Sequence, residues 1–128
     1  GDRQVEVRFR GGLLGHWACW TRSAVALLDR IKAVVRLGGP VPSDLLRLGV
    51  AVTDMNAAVF DVANAYRGCI AGVHAVLERQ GLLAGRWCLD PAEDVSPGQL
   101  DEIDRVSRAC PHLVDDAFVA ANRDRWLA

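Results

Sequence analysis

The 128 residues suffice for one domain with a modest core, and 51% of them are apolar. Fifteen basic side chains against sixteen acidic ones leave a formal charge of −1 with no Lys/Arg block, which argues against nucleic acid or an anionic membrane as partner. No apolar run approaches the roughly 20 residues of a membrane span and no signal peptide opens the chain, so a cytoplasmic location is expected.

Val5, Val7 and Phe9 alternate with Glu6, Arg8 and Arg10, the period-two pattern of a strand with one buried face. The pattern continues into Gly11-Gly12-Leu13-Leu14-Gly15-His16-Trp17-Ala18, where small residues allow a bend or a close approach. This is the one strand the sequence predicts. A strand cannot satisfy its ladder hydrogen bonds alone, so it implies a neighbour. That neighbour is another chain, a second copy in a dimer, or strands lying outside this chain.

Everything after Trp20 reads as helix. Thr21 or Ser23 caps a first helix with Ala24, Leu27, Leu28, Ile31, Val34 and Val35 on one side. Asp29, Lys32 and Arg36 lie on the other, and Gly38-Gly39-Pro40 stops it. A second helix starts at Ser43 and carries Leu45, Leu48, Val52, Met55, Val59, Val62 and Tyr66 as a narrow apolar seam. Arg47, Asp54 and Asp61 lie opposite. A third, Cys69 to Gln80, ends at Gly81. Ser96-Pro97-Gly98-Gln99 fits a capping box with Pro at the first helical position, opening a helix with Leu100, Ile103 and Val106 inward. Asp101–Arg105 and Asp104–Arg108 are spaced as outward ion pairs. Pro111 breaks that helix, and Asp115 or Asp116 opens the last one, through Phe118, Val119, Asn122 and Trp126.

Cys19, Cys69, Cys88 and Cys110 are unevenly spaced and read as reduced, mostly buried thiols. The pairs His16…Cys19, Cys69…His74 and Cys110…His112 lack the close double spacing of structural zinc, so no metal is assigned. Asp90, Glu93 and Asp94 suit a solvated loop before a helix N-terminus. Gly11-Gly12 is too short for a phosphate loop. No cofactor is indicated.

Several weak features in order resemble the C-terminal part of the dihydrodipicolinate synthase/N-acetylneuraminate lyase family of Schiff-base (β/α)8-barrel enzymes. Gly12-Leu13-Leu14-Gly15 is similar to the family's eighth strand, and the helix over 23–37 to the barrel helix that follows. Val59-Phe60 resembles the end of its next long helix, Gln80-Gly81-Leu82 its Gly-Leu step, and Trp87 through Gln99 its final turn and helix start. The likeness covers roughly Gly11 to Ala109. It implies a mainly α chain with one N-terminal β-strand, the C-terminal portion of a (β/α)8 (TIM) barrel plus a helical tail. Residues 1–40 would be the last barrel strand and its helix, and 41–128 the tail.

The resemblance further implies a C-terminal subunit or fragment of an aldolase or lyase acting on 2-oxo acids. A protein partner would supply the remaining strands and the imine-forming lysine. No residue here inherits a catalytic role: Lys32, the only lysine, sits on a polar helix face, and Tyr66, the only tyrosine, reads as packing. Active sites of such barrels lie at the carboxyl ends of the strands. Leu14, Gly15, His16, Trp17 and Cys19 would therefore line the pocket. His16 suits a general acid/base or a hydrogen-bond donor to substrate, against the simpler reading of a histidine that fills space between strand and helix. The alternative is a non-catalytic helical module that forms a homo-oligomer through the Leu45-to-Tyr66 seam and the N-terminal strand.

Overall fold

The computed structural model describes residues 3–7, 9–11 and 18–128. Five α-helices follow one another: α1 (Thr21–Leu37), α2 (Ser43–Val59), α3 (Cys69–Arg79), α4 (Gln99–Ala109) and α5 (Asp116–Leu127). A 3-10 turn, Val62–Asn64, lies between α2 and α3. Among the described residues there is no strand and no sheet.

The expected N-terminal strand and the barrel portion built on it are therefore corrected. Residues 3–7 and 9–11 have no regular structure, and Val5, Val7 and Phe9 are exposed. Alternation makes one edge of an extended segment apolar, but a strand exists only where a neighbour takes its N–H and C=O groups. The helices offer no such ladder.

The core forms where α2 and α4 pack on one another, with α3 against both. Met55 and Val59 of α2 and Ile103 and Val106 of α4 are fully buried. Val76 of α3, Cys110 and Leu113 close the cluster, and Cys19 and Trp20 complete it from ahead of α1. The α4 positions inferred from periodicity thus face inward. Burying each large aliphatic side chain contributes about 1.5–3 kcal/mol, which makes this the main stabilising contact of the fold.

Helix ends follow backbone chemistry. Gly38, at φ 67°, stops α1 and donates its N–H to the carbonyls of Val34 and Val35. Gly81, at φ 72°, ends α3 in a Schellman arrangement: its N–H reaches Glu78 O at 2.8 Å, and that of Leu82 reaches Leu77 O at 2.9 Å.

The long second helix is shorter than its seam suggested. It ends at Val59, and Asp61, Ala65 and Tyr66 then adopt left-handed backbone at φ 57°, 54° and 65°. No periodic pattern encodes that break. As a result Tyr66 is exposed rather than packed, and the seam from Leu48 to Val59 is taken up by the chain's own core.

The surface ion pairs also differ from the expected i,i+4 ones. Arg105 forks onto Asp54 of α2 at 2.8 and 2.9 Å and also meets Glu102, while Asp104 pairs with Arg79 of α3 at 2.6 Å. A planar guanidinium gains more from two parallel bonds to one carboxylate than from a flexible neighbour on its own helix.

Candidate interaction surface

Two buried polar knots and two exposed apolar stripes are the features with chemical content. In the first knot, Asp61 is only 3% exposed. Its Oδ2 accepts the Gly68 N–H at 2.9 Å and the Ser96 hydroxyl at 2.5 Å, and its Oδ1 accepts the Asn64 amide at 2.7 Å. Burial pushes its pKa upward, but the hydrogen bonds from Asn64, Ser96 and Gly68 and the charge of Arg67 outweigh it and hold the carboxyl below its usual range.

Gln99 completes this knot. Its amide Nε2 donates to Val59 O at 3.1 Å and Gly68 O at 2.9 Å, and its Oε1 accepts the Ser96 N–H at 3.0 Å. One side chain thus closes the end of α2, the start of α3 and the turn before α4. The expected capping box is half realised: Gln99 reaches back to Ser96, but the Ser96 hydroxyl turns to Asp61. The helix accordingly begins at Gln99, behind Gly98 at φ 82°, rather than at Pro97.

The second knot joins α1, α3 and α5. Asp115 precedes α5, yet its Oδ2 takes the Arg22 N–H of α1 at 2.8 Å, and its Oδ1 takes the Gln80 amide at 2.9 Å. Gln80 also bonds Asp116 at 2.8 Å, and the Ser23 hydroxyl donates to Val114 O at 3.2 Å. The first turn of α1 is therefore capped from the far end of the sequence.

Of the candidate pocket residues, Leu14, Gly15, His16 and Trp17 lie outside the described residues. Cys19 is 2% exposed beside this knot, on the wall of a cleft of about 310 Å³ that Phe118 and Trp126 also line. Burial, reinforced by the Asp115 charge, pushes its thiol up to about 12. Such a thiol holds a thiolate fraction of only ~10⁻⁴ at pH 8, which makes it a poor nucleophile. With iodoacetamide at that pH, the half-buried Cys69 and Cys88 are expected to react first. Cys19 should be modified only as fast as the chain unfolds, as peptide mass spectrometry would read; prompt labelling of Cys19 would contradict its burial.

Among the described residues no three His, Cys, Asp or Glu side chains come together as a metal site, and no helix is long and apolar enough to cross a membrane. Lys32 is exposed on α1.

The exposed stripes belong to α1 and α2, one on each. On α1 the apolar stripe runs at helical spacing through Ala24, Leu27, Leu28, Ile31, Val34 and Val35. Only Ala24, next to the capped first turn, is buried; Ile31 is 40% and Val35 59% exposed. On α2 the side away from the core carries Leu46, Val50, Thr53 and Ala57, spaced four, three and four residues apart with no charge among them. Leu46 is 62% and Val50 73% exposed. The core seam of the same helix overshadows this second stripe, although it repeats at the same helical spacing. The periodicity alone would have found it. Arg30 forms an ion pair with Asp44, tying the middle of α1 to the start of α2.

No protein-family model, curated protein or solved structure matches this chain.

Proposed function

We propose that this chain is a non-catalytic helical module that binds protein through the uncovered apolar sides of α1 and α2. The observation that carries the reading is the stripe on α1, a helix amphipathic along its length. The stripe is fully covered only at Ala24, with Leu27, Leu28 and Val34 half-buried and Ile31 and Val35 exposed. A surface helix keeps such a stripe in water only at a cost in free energy, and large exposed apolar patches mark interaction sites. The polar groups support the same reading. Asp61, Gln80, Gln99 and Asp115 are buried and each is spent on closing helix ends. The split-barrel lyase reading needs a strand to hand to a partner, whereas the helical module needs only helices. Its expected interface moves from the Leu45-to-Tyr66 seam, whose Leu48-to-Val59 part is taken up by the core, to the outer faces.

A photo-crosslinking residue at Val35 or Val50 of the full chain tests this. In cells, protein adducts are expected from both apolar positions and none from Asp29 on the polar side of α1. Adducts from Asp29 alone, or from no position, would refute the module.

A further inference from the structure

We infer that the outer side of α2 receives an amphipathic helix of another protein, whose aromatic anchor, a Trp or Tyr, enters a groove at the end of that side. The inference rests on the module reading above and adds the form of the partner.

Stripe and groove are one surface because they share residues. Leu46, Val50, Thr53 and Ala57 lie within about 60° of one another around α2 and run for about 17 Å along it. Thr53 and Ala57 then form one wall of a groove of about 630 Å³, which Asn56, Phe60, Val62 and Tyr66 also line. A small molecule held in the groove would leave Leu46 and Val50 in water. An occupant that covers both has to be long.

The groove exists before anything binds. Its far wall is the connector after α2, which the bonds of Asp61 and Gln99 fix to the start of α3 and to the turn before α4. Tyr66 is 60% and Val62 47% exposed there, so apolar surface is already presented and little ordering is lost on binding. The half-buried Asn56 amide makes no hydrogen bond among the described residues. An indole N–H or a phenol hydroxyl would satisfy it, and an aliphatic anchor would not.

Backbone chemistry selects a helix. An extended peptide gains affinity by pairing with a free sheet edge, and the described residues offer none. The backbone groups of α2 are taken up within the helix itself. A partner helix arrives with its own backbone satisfied and needs only an apolar stripe to pack on.

Area and charge fit one such helix. The exposed apolar parts of Leu46, Val50, Val62 and Tyr66 come to roughly 400 Å². At the ~57% apolar share of interfaces between separable proteins, each side buries on the order of 700 Å², and the two together about 1,400 Å². That is a standard interface with no contribution from α1. The acids of α2 are already paired, Asp44 with Arg30 and Asp54 with Arg105. Arg47, exposed about one turn before Val50, has no ion pair among the described residues. The partner helix therefore carries an acidic residue on the flank that meets Arg47.

Selection of phage-displayed peptides on the full chain tests this, with one library of about 18 residues on an Ala-rich helical frame and one on a disulfide-closed extended frame. The helical library is expected to yield binders with apolar residues three and four apart around one Trp or Tyr, at about micromolar Kd. Val50→Glu and Val62→Glu should each weaken the best of them about 30-fold or more, with unchanged urea midpoints. Val35→Glu on α1 should leave binding as it was. Removing the anchor's donor, by Tyr to Phe or Trp to N-methyl-Trp in the peptide, should cost about fivefold against the wild-type chain and nothing against Asn56→Ala. Binders from the extended library alone, helical binders indifferent to Val50→Glu and Val62→Glu, or none from either library would overturn the inference. So would adsorption to phosphatidylcholine–phosphatidylserine vesicles in place of any peptide, or selected sequences that copy residues 21–37, which would make the partner a second copy. Protein adducts from Val35 and Val50 in cells would then leave the module reading standing. Absence of any adduct would remove that reading, and this inference with it.

Discussion

Asp61→Ala is expected to lower the free energy of unfolding by about 3–4 kcal/mol, read from urea denaturation at neutral pH. The substitution removes the acceptor for the Gly68 N–H, the Ser96 hydroxyl and the Asn64 amide at once. The Gly68 N–H is buried and has no water to turn to, so its loss weighs most. Residue 61 also sits at φ 57°, where alanine is about 1 kcal/mol or more worse than in a right-handed turn. Asp61→Asn tolerates that backbone and keeps one acceptor oxygen, so about half the loss is expected. A loss below about 1 kcal/mol for the alanine variant would mean that the carboxylate does not hold the connector.

The same residue sets a pH dependence. Its carboxyl is held below the unfolded value of about 3.9. Protons therefore bind the unfolded chain first: the stability Asp61 contributes is complete above about pH 4 and is lost as pH falls through the lower folded pKa. Wild-type stability should thus drop in acid, and the drop should be shallower in Asp61→Ala. Asp54 is lowered in the same direction by the Arg105 fork, but it is solvent-exposed enough for salt to screen its share.

The stops of α1 and α3 were legible in the sequence because Gly38 and Gly81 act through their own backbone, and a local rule needs only local residues. The inward face of α4 was legible because burial repeats with the helix period. What failed were inferences that treated a side chain's nearest partner in sequence as its partner in space. Asp115 looks like the cap of α5 but caps α1, because the end of α4 brings it to an N-terminus that Trp20 cannot cap with a polar side chain. Ser96 was assigned to its own helix but bonds Asp61, 35 residues away. The left-handed run at Asp61, Ala65 and Tyr66 left no signal, since none of the three is glycine. The alternation of Val5, Val7 and Phe9 describes what a strand would look like; whether a ladder exists depends on a neighbour the residues themselves do not specify. Of the candidate surface, the α1 stripe was visible from the start, but its exposure depends on where α2, α3 and α4 settle their own core.

Gly72→Ala should destabilise the chain by about 2–4 kcal/mol although it gains about 1 kcal/mol of helix propensity within α3. A Cβ at Gly72 would overlap the backbone carbonyl oxygen of Val59 and the amide nitrogen of Gln99. Neither can withdraw cheaply. Val59 is fixed by the core at the end of α2, and Gln99 would have to release the carbonyls of Val59 and Gly68. The helices must then separate or the buried carbonyls lose their donor, and either outcome exceeds the propensity gain. Gly49→Ala provides the control, because it lies mid-helix in α2 with nothing within 4 Å of its added methyl. That variant should gain about 0.5–1 kcal/mol, measured by denaturant unfolding at low protein concentration. The same chemical change is thus expected to have opposite signs in two helices. Equal effects at both sites would show that α2 and α3 do not meet closely at Gly72 and that Gln99 does not bridge them.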